Sequence, residues 1–208
     1  QIGIQMSFSI VCLMAAGYCQ FEKSVYSALT TQAYLHALKL QVSIGFVFMI
    51  GVIWFTVYFA GLQSRWFPLI LSIGAAGLAA LNQFLPTGIL VGSVHNFEYL
   101  RLPWDEQIAF PDTDVSQWVI ATWSYSLTVY MFVFYSCFRL LQRGRRRAAL
   151  VLFINVLSIL SVAVYDFAVD LRFIHWMYLA EYRFLPCVIS MAIYTAKSVK
   201  QQAAGATV

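Results

Sequence analysis

A chain of 208 residues that is 61% hydrophobic and only 11% charged does not have the makeup of a soluble domain, in which roughly a quarter of residues carry charge. With a mean hydropathy of +0.74 it reads as an integral membrane protein. The net charge of +4 is small and the basic residues cluster in short loops, so nucleic acid is not expected as a partner.

A bilayer core takes about 20 apolar residues of helix. Six segments meet that need, approximately Ile2–Gln20, Leu38–Leu62, Trp66–Leu85, Val115–Leu141, Ala148–Val169 and Trp176–Ala196. The expected fold is therefore an all-α integral membrane helical bundle. Gln1 stands where a methionine would, with no basic n-region behind it, so the chain is expected to be a fragment without a signal peptide; a seventh span upstream would put the true N-terminus outside.

The first connection, Phe21 to Leu38, contains TTQAYLHA. A helix capped by Thr30 or Thr31 and running on into the second span fits it. In the third span Ser72, Ala76 and Ala80 recur every four residues with Gly74 and Gly77 alongside, a stripe suited to close helix packing. Residues 86–114, PTGILVGSVHNFEYLRLPWDEQIAFPDTD, are punctuated by Gly and Pro. Within them Phe97–Leu102 alternates apolar and polar side chains, Gln107–Phe110 can return beside it, and Pro103–Glu106 supplies the turn. A small β-hairpin over one mouth of the bundle is expected.

The fourth span is long enough to tilt. The fifth carries Asn155, Ser158, Ser161, Tyr165, Asp166 and Asp170, with the two aspartates one turn apart. The last places Arg183, Cys187, Ser190 and Tyr194 on one stripe, and polar stripes in spans usually face the bundle interior. Glu181 and Arg183 stand two apart and so point to different sides of the helix. They lie about 8 to 10 Å inside the span's start. Arg183 can reach outward or pair with Asp166 or Asp170; Glu181 can pair with Arg172 or Arg101, or face water. Pro186 removes the helical partner of the Tyr182 carbonyl and marks a kink.

Loop charges give a direction. Arg65 in the second connection, Arg139 and Arg143 to Arg147 around the fourth, and Lys197 and Lys200 in the tail occur in regions without a single acid. All nine acidic residues fall in the other set of regions. The positive-inside rule then predicts a multi-pass membrane protein with its C-terminus in the cytoplasm and its acidic loops facing the periplasm or exterior. The three histidines, His36, His95 and His175, fall on the outer side without metal-ligand spacing, and no cysteine pair has CxxC spacing. Neither a metal nor any other cofactor is expected, and no catalytic residues are identified.

The segments ALKLQ, SRWFPLIL, LNQFLP, NFEYLRLPWDEQIAF, RLLQRGRRRAAL and MYLAEYRFLPCVISMAIYTA, in that order, resemble the multi-pass N-terminal membrane sensor region of bacterial PAS-linked sensor histidine kinases. That region has about seven spans, an LPWGE-like outer turn and a basic RRGDRRRA-like inner loop. Here the turn reads LPWDE and lacks the glycine. The resemblance implies a PAS and kinase output beyond Val208, with residues 1–196 as the sensor domain and 197–208 as the start of a cytoplasmic signalling helix or linker.

The expected function is thus a transmembrane input domain of a two-component system. It takes a small amphipathic or apolar ligand at the outer side and signals through the last helix, as a homodimer in the lipid bilayer. The expected ligand contacts are Arg183, Glu181, Asp166, Asp170, Trp176, His36, Tyr99 and Trp104, with Pro186 transmitting the signal. An intramembrane transporter or enzyme, and a structural subunit of a membrane complex, are the alternative readings.

Overall fold

In a computed structural model the described residues form five long helices with one β-ribbon inserted between the third and fourth. The structure describes residues 2–97, 99–101, 105, 107–109 and 111–170, and a few positions further on; of Leu100 and residues 166–170 only the backbone is described. The helices are α1 (Ile2–Tyr26), α2 (Thr31–Ala60), α3 (Trp66–Phe84), α4 (Val119–Gln142) and α5 (Arg146–Asp170). All five are long and apolar enough to cross a membrane. The expected sixth span falls almost wholly outside the described residues; Leu185, Val188, Ile189, Ala192, Ile193 and Ala196 are described there, and are helical.

Helix α2 is the centre. It packs against α1, α3 and α4, while α5 packs on α4. Its Phe48, Ile53, Phe55 and Val57 enter a core with Val11 and Ala15 of α1, Val129, Phe132 and Val133 of α4 and Leu152 and Val156 of α5. Its Phe46 joins Ala75 of α3 and Ile89 in a second cluster. A helix covered on several sides needs apolar residues all round rather than one stripe, and α2 has them.

The outside is apolar too. Ile10 and Leu13 of α1, Ile70 and Ile73 of α3, Leu127 and Phe138 of α4, and Leu150 and Leu157 of α5 are all exposed. Water would penalise such rows at roughly 25 cal/mol per Å², whereas hydrocarbon would not. The surface is therefore compatible with a membrane protein.

Thr30 starts α2 as foreseen: its Oγ1 accepts from Ala33 N–H at 3.2 Å. At the far end the Leu62 N–H reaches back to Val57 O, with Gly61 in the left-handed region at φ 61°. Helix α4 ends the same way, Arg145 N–H to Leu140 O with Gly144 at φ 73°. Both are Schellman closures, which use up carbonyls that a helix C-terminus leaves open.

Two expectations are corrected. The packed face of α3 is Leu71, Ala75 and Asn82, not the small-residue stripe. Ala76 and Ala80 are exposed. Trp54 Nε1 donates to Ser72 Oγ at 3.0 Å, and Gly74 lies against Tyr125. Helix α4 begins at Val119 rather than Val115, because Val115 is the end of a strand.

That strand belongs to the ribbon. Strands β1 (Val91–Asn96) and β4 (Asp112–Val115) pair antiparallel, as do β2 (Tyr99–Arg101) and β3 (Gln107–Ala109). Asn96↔Asp112 and Tyr99↔Ala109 keep one register, three residues on along each strand, so the two ladders are one hairpin. Nearer the base, β1 carries extra residues between the Val91 and Val94 pairings and between those of Val94 and Asn96. Such bulges bend and twist a ribbon. At the tip Asp105 takes φ 73° at the place where the resembled turn has glycine, and the Arg101 guanidinium holds its carboxylate. Asp is among the few residues that accept this conformation.

Candidate functional site

The alternation of the helices gathers the C-terminus of α1, the N-terminus of α2, the C-terminus of α3 and the N-terminus of α4 at one end, beside the ribbon. This is the hairpin end. The α2–α3 and α4–α5 loops lie at the other, the arginine end.

The ribbon is seated on the α1–α2 connection by aromatic side chains. Phe97 lies edge-on between Tyr34 of α2 (centroids 6.2 Å apart) and Tyr99 of β2 (5.4 Å). The Tyr99 hydroxyl donates to Leu29 O at 3.3 Å. On the inner side Ile108 and Ala109 are buried, and β3 touches α1. An edge-to-face ring pair contributes about 1 kcal/mol beyond its buried area, so this clamp holds the ribbon with modest force.

A second attachment joins the ribbon's base to α2 and α3. Asn82, 1% exposed, donates through Nδ2 to Lys39 O at 2.7 Å and to Ser43 Oγ at 3.0 Å. Its Oδ1 accepts from Ile89 N–H at 2.9 Å. Lys39 Nζ then donates to Gln83 O at 2.9 Å and Leu85 O at 2.8 Å, closing the end of α3. A cation on helix-terminal carbonyls also meets the negative end of the helix dipole.

Beside Lys39 an open groove of about 530 Å³ is lined by Thr30, Gln32, His36 and Pro86. His36 is therefore in a groove. Tyr34 and His36 stand two apart on α2 and so look to different sides of it. The structure thus separates His36 from Tyr99 rather than bringing the two into one pocket. Asp166 and Asp170 lie on the last turns of α5. Their side chains, and Trp104, Trp176, Glu181, Arg183 and Pro186 entirely, lie outside the described residues. Arg101, one expected partner of Glu181, is engaged by Asp105.

Glu22 was not foreseen. It is 2% exposed in the last turns of α1, on the same buried face as Val11, Ala15 and Val25, and accepts from Tyr26 Oη at 3.4 Å. The signal was available: Glu22 falls four and seven residues along from positions that are apolar, on the core-facing stripe of an amphipathic pattern.

His95 is accounted for on the ribbon. Its Nε2 stands 2.7 Å from Asp114 Oδ2, and the Ser93 hydroxyl donates to the same oxygen at 2.6 Å. Together these bonds hold the Asp114 carboxyl below its ordinary value of 3.8, Ser93 contributing most and His95 next. The three residue types are those of a nucleophile triad, but the order is wrong. Both protons go to the carboxylate, so His95 Nε2 is not the base for Ser93. Among the described residues no group of three or more His, Cys, Asp or Glu is placed to hold a metal.

No protein-family model, no curated protein and no solved structure matches the chain.

Proposed function

We propose that the chain is a membrane-embedded input domain whose hairpin end receives a small amphipathic or apolar ligand and whose last segment carries the response to a cytoplasmic output. The observation that carries this reading is the aromatic clamp. Phe97 and Tyr99 seat a folded ribbon on the α1–α2 connection at the end where Glu22 is buried. A roof held by a few weak contacts can lie in two positions, and a ligand that prefers one position shifts the balance. Because α2 touches α1, α3 and α4, a displacement at Tyr34 reaches the whole bundle.

In this reading Arg183, Glu181, Asp166, Asp170, Trp176 and Trp104 complete the ligand contacts with Tyr99, while His36 stands in the separate groove beside Lys39, and Pro186 lets the last segment bend. The acidic hairpin end faces outward and the arginine end faces the cytoplasm, a reading that the loop charges support. The output is a histidine kinase or a similar signalling module, and the working unit is a homodimer.

The test is native mass spectrometry of the protein in nanodiscs, together with the output of the full-length protein. A bound small molecule is expected to be lost in Tyr99→Ala, and Arg183→Ala and Glu181→Ala are expected to alter output in protein that still folds. Unchanged output in all three sinks the reading. Glu22, an acid buried in an apolar helix, favours a transporter as the second reading. Substrate flux in liposomes that Glu22→Gln abolishes would establish it instead.

A further inference from the structure

The arginine end holds a cleft that the sensory reading does not use. It lies between the start of α3 and the last half of α4 and has a volume of about 600 Å³. Its long wall is a single stripe of α4: Thr128, Met131, Phe132, Tyr135, Arg139 and Arg143. At 1.5 Å per residue that stripe is roughly 22 Å long.

Its polarity changes along the length. Phe132 packs on Phe67 of α3 with centroids 5.7 Å apart, and Pro68 and Met131 continue the apolar wall. The Thr128 hydroxyl is turned back to Ser124 O at 2.8 Å, so it offers no open donor to the cleft. At the loop end stand Tyr135, Arg139 and Arg143. Arg143 is partly committed, its Nη1 donating to Ala60 O at 2.8 Å and Gly61 O at 3.0 Å. The Arg139 side chain makes no hydrogen bond or ion pair among the described residues. The loops on either side carry arginine and no acid.

We infer that this cleft is a binding site for an anionic phospholipid, with the headgroup phosphate on Arg139 and Tyr135 and one acyl chain along Met131 and Phe132. An apolar wall of Met131, Phe132, Phe67 and Pro68 that runs into an open guanidinium matches the join of acyl chain and charged headgroup in that molecule. A second copy of the chain seated by the same face would bring arginine to arginine. The inference rests on the bundle lying in a bilayer, and not on any ligand at the hairpin end.

The test is native mass spectrometry of the detergent-purified protein titrated with phosphatidylglycerol or phosphatidylcholine. Wild type is expected to retain phosphatidylglycerol in preference. Arg139→Gln is expected to weaken that retention roughly tenfold, the effect of one lost charge-assisted bond. Thr128→Trp, which fills the apolar part and leaves the arginines alone, is expected to lower retention of the same lipid as well. Equal retention of the two lipids, or no effect of either substitution, overturns the inference. So does competition by inorganic phosphate at millimolar concentration, which would make this a site for free anions. Crosslinking of a Met131→Cys variant to the segment after α5 overturns it too, since that segment would then fill the cleft. None of these results bears on the hairpin end.

Discussion

The two ends of the bundle solve the same problem by different means. At each, a helix finishes with open carbonyls and a cation from another element closes it. Arg143, from the end of α4, donates to the final carbonyls of α2, and Lys39, from within α2, donates to those of α3. At the arginine end the turns are tight, Gly144 stands in open space, and the loops are short. At the hairpin end the cation is one part of a network through Asn82, Ser43 and Ile89 that also fixes the ribbon's base. One end is closed by geometry, the other by a buried polar cluster. Only the second is sensitive to a single lost partner, because buried donors without acceptors are costly.

The sharpest way to break the contrast is Asn82→Leu. It leaves the Ile89 N–H buried without an acceptor and removes both Nδ2 bonds, so a loss of about 3 kcal/mol is expected in chemical unfolding of the detergent-solubilised protein. A loss under ~1 kcal/mol would show that water replaces the amide and that the cluster is not buried in solution.

Next come two glycines with the same handedness. Gly88 has φ 86°, and an added Cβ would stand 3.0 Å from Asn82 Oδ1. Gly144 has φ 73° with nothing within 4 Å. Gly88→Ala is expected to cost about 3 kcal/mol and Gly144→Ala about 1 kcal/mol, since only the first adds a clash to the backbone strain. Equal losses in thermal denaturation would remove the distinction between the ends.

Removing the two cations should give smaller and similar effects. Lys39→Met and Arg143→Met are each expected to lose about 1 kcal/mol. Amide exchange should show the Lys39 change loosening the ribbon, while the Arg143 change stays local to the α2–α3 turn.

The smallest effect is that of pH on the ribbon. The Asp114 carboxyl titrates below its unfolded value, so its bonds to Ser93 and His95 favour the paired strands above about pH 4. That contribution is lost as pH falls through the lowered folded value. Asp114→Asn should abolish the dependence, read as exchange of the β1 and β4 amides. Because Asp114 is fully exposed, unfolding of the bundle should not move with it.

The helices were legible because an apolar run of some 20 residues has few other uses. The start of α2 was legible because threonine before a periodic run caps it. The tip of the ribbon was legible too: alternation in FEYLRL and the return in QIA are the paired β2 and β3. Its base was not. VGSVHN and DTDV lack a clean apolar alternation, and they are held by Ser93, His95 and Asp114 across the ladder and interrupted by bulges. Of the expected ligand contacts, His36 and Tyr99 both lie at the hairpin end, but a sequence does not say which side of α2 a groove will use. Glu22 was grouped with the outer acids by its position in the chain, whereas its place on the α1 stripe puts it inside.

The extra residues at the base of β1 also limit how the ribbon can change in length. The pairings at Asn96 and from Tyr99 to Arg101 keep one register, so two-residue insertions or deletions on facing strands keep every side chain on its own face. Removing one residue at a bulge does not: all positions beyond it exchange faces, and Phe97 and Tyr99 leave Tyr34 and Leu29 together. Relatives that share this roof should differ in the reach of its tip in even steps while the odd residues at its base stay fixed in number.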